Sequence, residues 1–351
     1  MDRATTRNAI DMLRSTLAPL APVFDDPAVT EIMINAPGEV WVQRAARSER
    51  LTIELTDAQV RAAIMLLARL NRRDAREGGR EAMLDARFDG MRVAACLAPP
   101  ATRGHALCIR KHQRRRLTLA DLVAGQAVDA ACARLLRCAV RGRCNMLIAG
   151  GTDSGKTTLM NALLAEVPGE ERLITIEDTP ELDVAAPNRV SLEASEADGI
   201  SVRDLVRLAL RMRPDRILVG EVRGPEAYDL MQVANTGHRG VLATLHANDA
   251  PGALERLEAL VLTAGVPWTF AAIQRQIARS FDLVVFVARD AAQRRVTEVA
   301  RLDGFDAEAA SYRMTTLYRL ETSDAQQSRA RDGEQEWTRT GDPSRDAAAQ
   351  R

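Results

Sequence analysis

The chain has 351 residues, 46% of them hydrophobic and 27% charged, with 48 Lys and Arg balanced by 48 Asp and Glu. That length accommodates two domains with separate cores, and zero net charge excludes a global field favouring nucleic acid or an anionic membrane. With no run of ~18 apolar residues and no signal peptide, we expect a cytoplasmic protein without a transmembrane segment. Cys96, Cys108, Cys132, Cys138 and Cys144 form no C-x-x-C pair. Free or buried thiols in a reducing compartment are therefore expected, rather than zinc ligands.

Residues 1–24 carry Ile10, Leu13, Leu17 and Leu20 on one helical face, closed by Asp26-Pro27. This helix is expected to pack on its own domain, because its polar face holds too few basic residues for a membrane surface. VTEIMIN (Val29–Asn35) and VWVQ (Val40–Gln43), separated by Pro37-Gly38, read as a strand pair. Val60–Leu70 reads as an apolar helix and Gly78-Gly79 as a loop. Phe88-Asp89-Gly90-Met91 reads as a turn before a strand at Arg92–Leu97, and His105–Arg110 as a final strand. Residues 1–112 are thus expected to form a small α+β domain. The run from Arg110 to Arg116 opens a basic linker assigned to 113–124, with a solvated role as the default.

The stretch Asn145–Glu166, NMLIAGGTDSGKTTLMNALLAE, is the most informative. A short apolar run precedes G-x-x-x-x-G-K-[ST], and Leu159, Leu163 and Leu164 follow at helical spacing. This is the strand–loop–helix context of a phosphate-binding P-loop. The chemistry needs main-chain N–H groups converging on phosphate oxygens, glycines permitting the close turn, and a helix N-terminus adding partial positive charge. The loop residues Gly150, Gly151, Thr152, Asp153, Ser154, Gly155, Lys156, Thr157 and Thr158 are the candidate nucleotide-binding set. Lys156 would reach the β- and γ-phosphates and the Thr157 hydroxyl would hold Mg²⁺.

Further strands are expected at Leu173–Ile176, Arg216–Val219, Val241–Leu245 and Leu283–Val287, alternating with helices in an α/β domain over 125–320. One helix starts at the capping box Ser201-x-x-Asp204, with Val202, Leu205, Val206 and Ala209 inward and Arg203, Arg207 and Arg211 as a solvated stripe. Residues 321–351 are polar and expected to be disordered.

Ligands in open α/β sheets bind at the carboxyl ends of strands, where Glu177 and Asp178, Glu221 and His246 fall. Phosphoryl hydrolysis needs a carboxylate to orient and deprotonate water, and groups around Mg²⁺. Arg216–Glu221 has a Walker-B outline, but Gly220 stands where a metal-binding Asp often does. Glu221 is therefore the expected catalytic carboxylate, with Glu177 or Asp178 on the metal side. A neutral His246 near the γ-phosphate could report hydrolysis through hydrogen bonding. Arg223 is a further candidate for stabilising charge.

With GGTDSGKTT at 150–158, TIEDTPEL at 175–182, RPDRILVGEVRG at 213–224 and GHRGVLATLHAND at 237–249, the chain resembles the type IV secretion traffic ATPases, most closely the conjugal-transfer TrbB type. The resemblance covers about 25–320. It implies Walker A, Asp box, modified Walker B and His box motifs in a RecA-like P-loop ATPase domain, preceded by a small α/β N-terminal domain. It also implies a homohexameric ring working with other secretion or conjugation proteins at the cytoplasmic face of the inner membrane. Arginines of the N-terminal domain approach the terminal phosphate in such proteins, and the matching positions here are Arg92 and Arg110. Asp153 departs from the small neutral residue usual in the family, and Arg239 and Val241 from the usual Pro and Gly.

The function expected is an ATPase using ATP and Mg²⁺ to drive domain motion for substrate export or pilus assembly in a conjugation apparatus. A type II secretion or type IV pilus retraction ATPase is the nearest rival. No cysteine follows Cys144 to build the four-cysteine zinc element of many extension-type members. A RecA-like nucleic-acid motor, for which nothing in the sequence speaks directly, and a non-hydrolysing nucleotide-gated scaffold are the others.

Overall fold

A computed structural model describes residues 3–44, 47–111, 116–195, 198–290 and 293–320. The expected tail at 321–351 and residues 112–115 of the basic run lie outside them. The chain divides into two compact units, Met1–Arg115 and Arg116–Arg351.

The first unit opens with α1 (Arg3–Thr16), a 3-10 turn (Ala18–Leu20) and α2 (Ala21–Asp25). Leu13, Leu17 and Leu20 are fully buried in the unit's own core. Strands β1 (Val29–Ala36), β2 (Glu39–Arg44) and β3 (Arg47–Leu51) follow, with Gly38 in the left-handed region (φ 72°) turning the first pair. Helix α3 (Asp57–Leu70) starts at a reciprocal capping box between Thr56 and Gln59 and buries Val60, Ile64 and Leu67. Strands β4 (Met83–Phe88) and β5 (Met91–Cys96) join through Asp89 and Gly90, both at positive φ (50° and 77°), as a two-residue hairpin requires. With β6 (Ala106–Arg110) the strands form one antiparallel sheet in the order β3-β2-β1-β6-β5-β4.

The second unit contains α4 (Leu119–Ala124), which falls in the stretch expected to be linker, α5 (Ala130–Arg141), β7 (Met146–Gly150), α6 (Lys156–Leu164), β8 (Leu173–Glu177), β9 (Arg189–Glu193), α7 (Val202–Ala209), β10 (Arg216–Val219), α8 (Glu226–Asn235), β11 (Leu242–His246), α9 (Ala250–Leu262), α10 (Phe270–Ser280), β12 (Leu283–Asp290), β13 (Gln293–Asp306) and β14 (Ser311–Arg319). Its eight-stranded sheet runs β14-β13-β12-β7-β11-β10-β8-β9. Strands β12 to β9 in that order are parallel, and β13 and β14 extend one edge antiparallel.

Every residue of β7, β8 and β10 is buried, as expected when helices cover both faces of a parallel sheet. The two-residue strand period then sends Leu147 and Ala149 into one core with α7–α10, and Met146 and Ile148 into another with α4–α6. The chain is thus an α/β protein: a P-loop sheet domain preceded by a smaller α+β unit. Among the described residues no helix is long and apolar enough to cross a membrane.

Candidate active site

Parallel register brings the strand ends to one edge. His246, the last residue of β11, pairs directly with Gly150, the last of β7. Val219 pairs with Ile176 and with Ala243, so Glu221 and Glu177 emerge at the same edge of the sheet as the P-loop, after β10 and at the end of β8, the second and third strands from β7.

At Gly150 a Cβ would lie 2.2 Å from the Val287 carbonyl oxygen on β12 and 2.7 Å from Ser154 Oγ, so only glycine fits. Gly155 (φ 102°) is the N-cap of α6 and no side chain caps the helix, which leaves its first N–H groups for an anion. Ser154 Oγ is buried without a hydrogen-bond partner among the described residues. Lys156 Nζ folds back to donate to the carbonyls of Gly150 (3.1 Å) and Gly151 (2.8 Å). An uncapped helix N-terminus, an unpartnered hydroxyl and a retained ammonium together fit a polyphosphate. Thr157 and Thr158, in the first turn of α6, are half-buried.

Lys156 Nζ also lies 3.3 Å from His246 Nδ1. Burial pushes the Lys156 ammonium down from its ordinary range, against the opposing pull of Glu221. His246 is likewise lowered, by burial and then by the Lys156 charge, which keeps the ring neutral. A neutral ring accepting at Nδ1 carries its proton on Nε2, which sits 3.0 Å from Glu221 Oε1. That oxygen is buried and has no aligned hydrogen bond. The other, Oε2, accepts from Arg223 Nη2 at 2.5 Å. Burial raises the Glu221 carboxyl, but the Arg223 hydrogen bond and the charges of Arg223, His246 and Lys156 outweigh it and hold the group ionised.

The main chain around this acid is pinned from two sides. Thr244 Oγ1 on β11 donates to the Gly220 carbonyl (2.6 Å), and Val222 N donates to the Thr244 carbonyl (2.8 Å). Glu226, the first residue of α8, accepts from Arg223 N (2.6 Å) and Gly224 N (2.7 Å).

Glu177 is buried, and its Oε1 accepts from the amides of Glu181 (2.8 Å) and Leu182 (3.0 Å), tying down the loop after β8. A Cβ at Gly220 would meet Glu177 Cγ at 2.8 Å. The missing side chain at that Walker-B position is thus the space Glu177 fills. Asp178 Oδ2 lies 3.7 Å from Arg223 Nη1. Among the described residues no group of three or more His, Cys, Asp or Glu could hold a metal. A Mg²⁺ ion here would draw on phosphate oxygens, the Thr157 hydroxyl, water and one carboxylate, a donor set this ion accepts.

Arg92 and Arg110 belong to the first unit, where they are cross-strand partners on β5 and β6. Arg92 pairs with Asp85 (3.3 Å), and Arg110 lies 3.7 Å from Glu31. Asp153, the unusual P-loop residue, adopts φ 58° and pairs its carboxylate with Arg289 (2.7 Å) and with Arg294. Neither arginine carries a local motif signal. The stripe at Arg203 and Arg207 is not simply solvated, since both donate to Asp229 on α8 (2.6 and 2.7 Å).

The family model for type II/IV secretion system proteins matches residues 14–335. The chain is 36% identical over 294 residues to a conjugal transfer protein TrbB from Rhizobium radiobacter, covering 82% of this chain and 87% of the relative. It is 34% identical over 322 residues to the type IV secretion system protein VirB11 of Brucella suis biovar 1, covering 81% and 88%. The fold is similar to that of the Legionella pneumophila ATPase DotB, with a TM-score of 0.57 at 19% identity over 86% of this chain and 82% of that one. With the P-loop edge intact and the match running through both units, the chain belongs to the type II/IV secretion system protein family.

Proposed function

We propose that the chain is a Mg²⁺-dependent ATPase that powers transfer through a type IV secretion or conjugation apparatus. The observation that carries this reading is the contiguity of Lys156, His246 and Glu221 at the mouth of a P-loop, with one buried oxygen of Glu221 3.0 Å from His246 Nε2 but making no aligned hydrogen bond among the described residues. The names of the relatives, a conjugal transfer protein and a type IV secretion protein, support the setting.

In this reading the amides of residues 150–158 bind the phosphates and Lys156 neutralises the β/γ oxygens. Thr157, with Glu177 or Asp178, attends to Mg²⁺, which when bound screens the phosphate charge. Glu221 Oε1 accepts the proton of the attacking water. Neutral His246 donates through Nε2 toward Glu221 or the terminal phosphate, so it senses whether that phosphate is present. Arg223 orients Glu221, while Arg92 and Arg110 of the first unit supply cationic groups toward the terminal phosphate. A homohexameric ring, bound peripherally at the inner membrane with its apparatus, is the assembly in which such arginines act. The nucleotide cycle then drives one unit against the other.

ATP hydrolysis by the purified chain and by Lys156→Ala tests the reading. Turnover should fall by about 10²–10³-fold or more, the scale of losing one transition-state charge stabiliser. Unchanged turnover in that variant refutes the assignment.

A further inference from the structure

The P-loop acid and the hairpin beside it form an arrangement that phosphate binding by the loop amides does not use. Strand β12 lies directly against β7, with Val287 paired to Gly150, so its end runs past the start of the P-loop. Arg289 on β12 and Arg294 on β13 are cross-strand partners. Two like charges set directly opposite each other are unfavourable unless a counter-charge sits between them. Here the counter-charge is Asp153, which engages both guanidinium groups. The Arg294 stem also packs over the P-loop, its Cδ 3.5 Å and Cβ 3.6 Å from where a Gly155 Cβ would lie.

Two arginines against one carboxylate leave the cluster with one net positive charge, beside a helix N-terminus that no side chain caps. Guanidinium groups recognise carboxylate and phosphate with the same planar fork. Asp153 is a loop residue in the left-handed region, which Asp tolerates better than most side chains. The three side chains are 40–48% exposed, so the pairs are screened and exchange readily.

We propose that Arg289 and Arg294 form a cationic flank of the nucleotide site, in which the Asp153 carboxylate holds the place of a nucleotide phosphate and yields it when nucleotide binds. The inference rests on the nucleotide-binding reading above. It makes Asp153 a competitor that sets affinity, rather than a charge that abolishes binding.

The test is binding of a fluorescent ADP to the full chain at low ionic strength. The variants are Asp153→Asn, Arg289→Gln with Arg294→Gln, the combination of all three, and Lys156→Ala, with thermal melts to confirm folding. Asp153→Asn should bind several-fold more tightly than the parent chain. Adding the two arginine substitutions to Asp153→Asn should weaken binding by about tenfold, the worth of one charge-assisted hydrogen bond. If the arginines serve only to neutralise Asp153, their removal in the Asp153→Asn background leaves affinity unchanged, which overturns the proposal. Arg289→Gln alone in that background, whose stem does not cover Gly155, separates the same two outcomes should the combined variant fail to fold. Absence of ADP binding, or binding that Lys156→Ala leaves unaffected, refutes the nucleotide reading itself and is a separate outcome.

Discussion

Lys156 Nζ and His246 Nδ1 stand 3.3 Å apart, so the P-loop ammonium opposes protonation of the ring at the tip of β11. Burial, Lys156, Arg223 and Arg256 lower His246, with Glu221 the opposing influence. A group whose folded pKa lies below its unfolded one binds more protons when unfolded, so its contribution to stability is lost as pH falls through that window. His246 should therefore titrate below 6.5, followed by NMR of its ring carbon protons. The loss of melting temperature between pH 7.5 and 5.5 should be smaller in His246→Gln than in the parent chain. A ring titrating above 6.5 contradicts the neutral assignment.

Glu221 gives a second prediction with the opposite sense. Burial alone would raise its carboxyl, and the Arg223 hydrogen bond is the largest effect holding it down. Arg223→Ala should therefore raise the Glu221 pKa, moving the acid limb of the pH–kcat profile to higher pH while nucleotide binding persists. Glu221→Gln should bind ATP and fail to turn it over. A profile that does not move in Arg223→Ala removes the arginine from its positioning role.

The P-loop was legible because its whole signal is local: an apolar strand, fixed glycine spacing and a helix within about twenty residues. The buried strands of the parallel sheet were legible for the same reason, as were the turn at Asp89-Gly90, though not strand β4 before it, and the Ser201 cap. Strand β3, RSERL, was not, since almost all of it is exposed and it carries no apolar alternation. Strand β9 is an exposed-to-half-buried edge, and β13 and β14 lie outside the parallel core, so their polar character hid them. The partners of Asp153 lie 136 and 141 residues away in sequence, a separation at which no spacing rule operates. The hold of Glu177 on the amides of Glu181 and Leu182 likewise looks, in sequence, like any acid at a strand end.

That hold explains Gly220 and makes it testable. A methyl at Gly220 would lie 2.8 Å from Glu177 Cγ, which belongs to the packed middle of the side chain. Gly220→Ala should cost about 1–3 kcal/mol by overpacking. Glu177→Ala should cost about 1–3 kcal/mol by stranding two amides. The double variant should be less destabilised than the sum, because the second change removes the clash of the first. Additive denaturation midpoints would show that the two residues are not in contention for the same space.

At the amino edge of the same sheet, Arg216 opens β10 fully buried, donating to Glu171 Oε2 (2.5 Å) and Oε1 (3.2 Å) and to the Val140 carbonyl (2.8 Å). Gly240 (φ 80°) makes room for it, since a Cβ there would meet Arg216 Nη1 at 2.8 Å. Breaking a buried pair strands a charge, whereas replacing both partners with apolar residues of similar volume is often neutral. Glu171→Ala should therefore cost about 3–5 kcal/mol in denaturant melts, with Glu171→Leu/Arg216→Met recovering most of it. Because this pair sits at the opposite ends of the strands from Gly150 and His246, nucleotide affinity of whatever fraction remains folded should be unchanged in both variants. An affinity loss matching the stability loss would mean that the strand ends are not held independently of the pair.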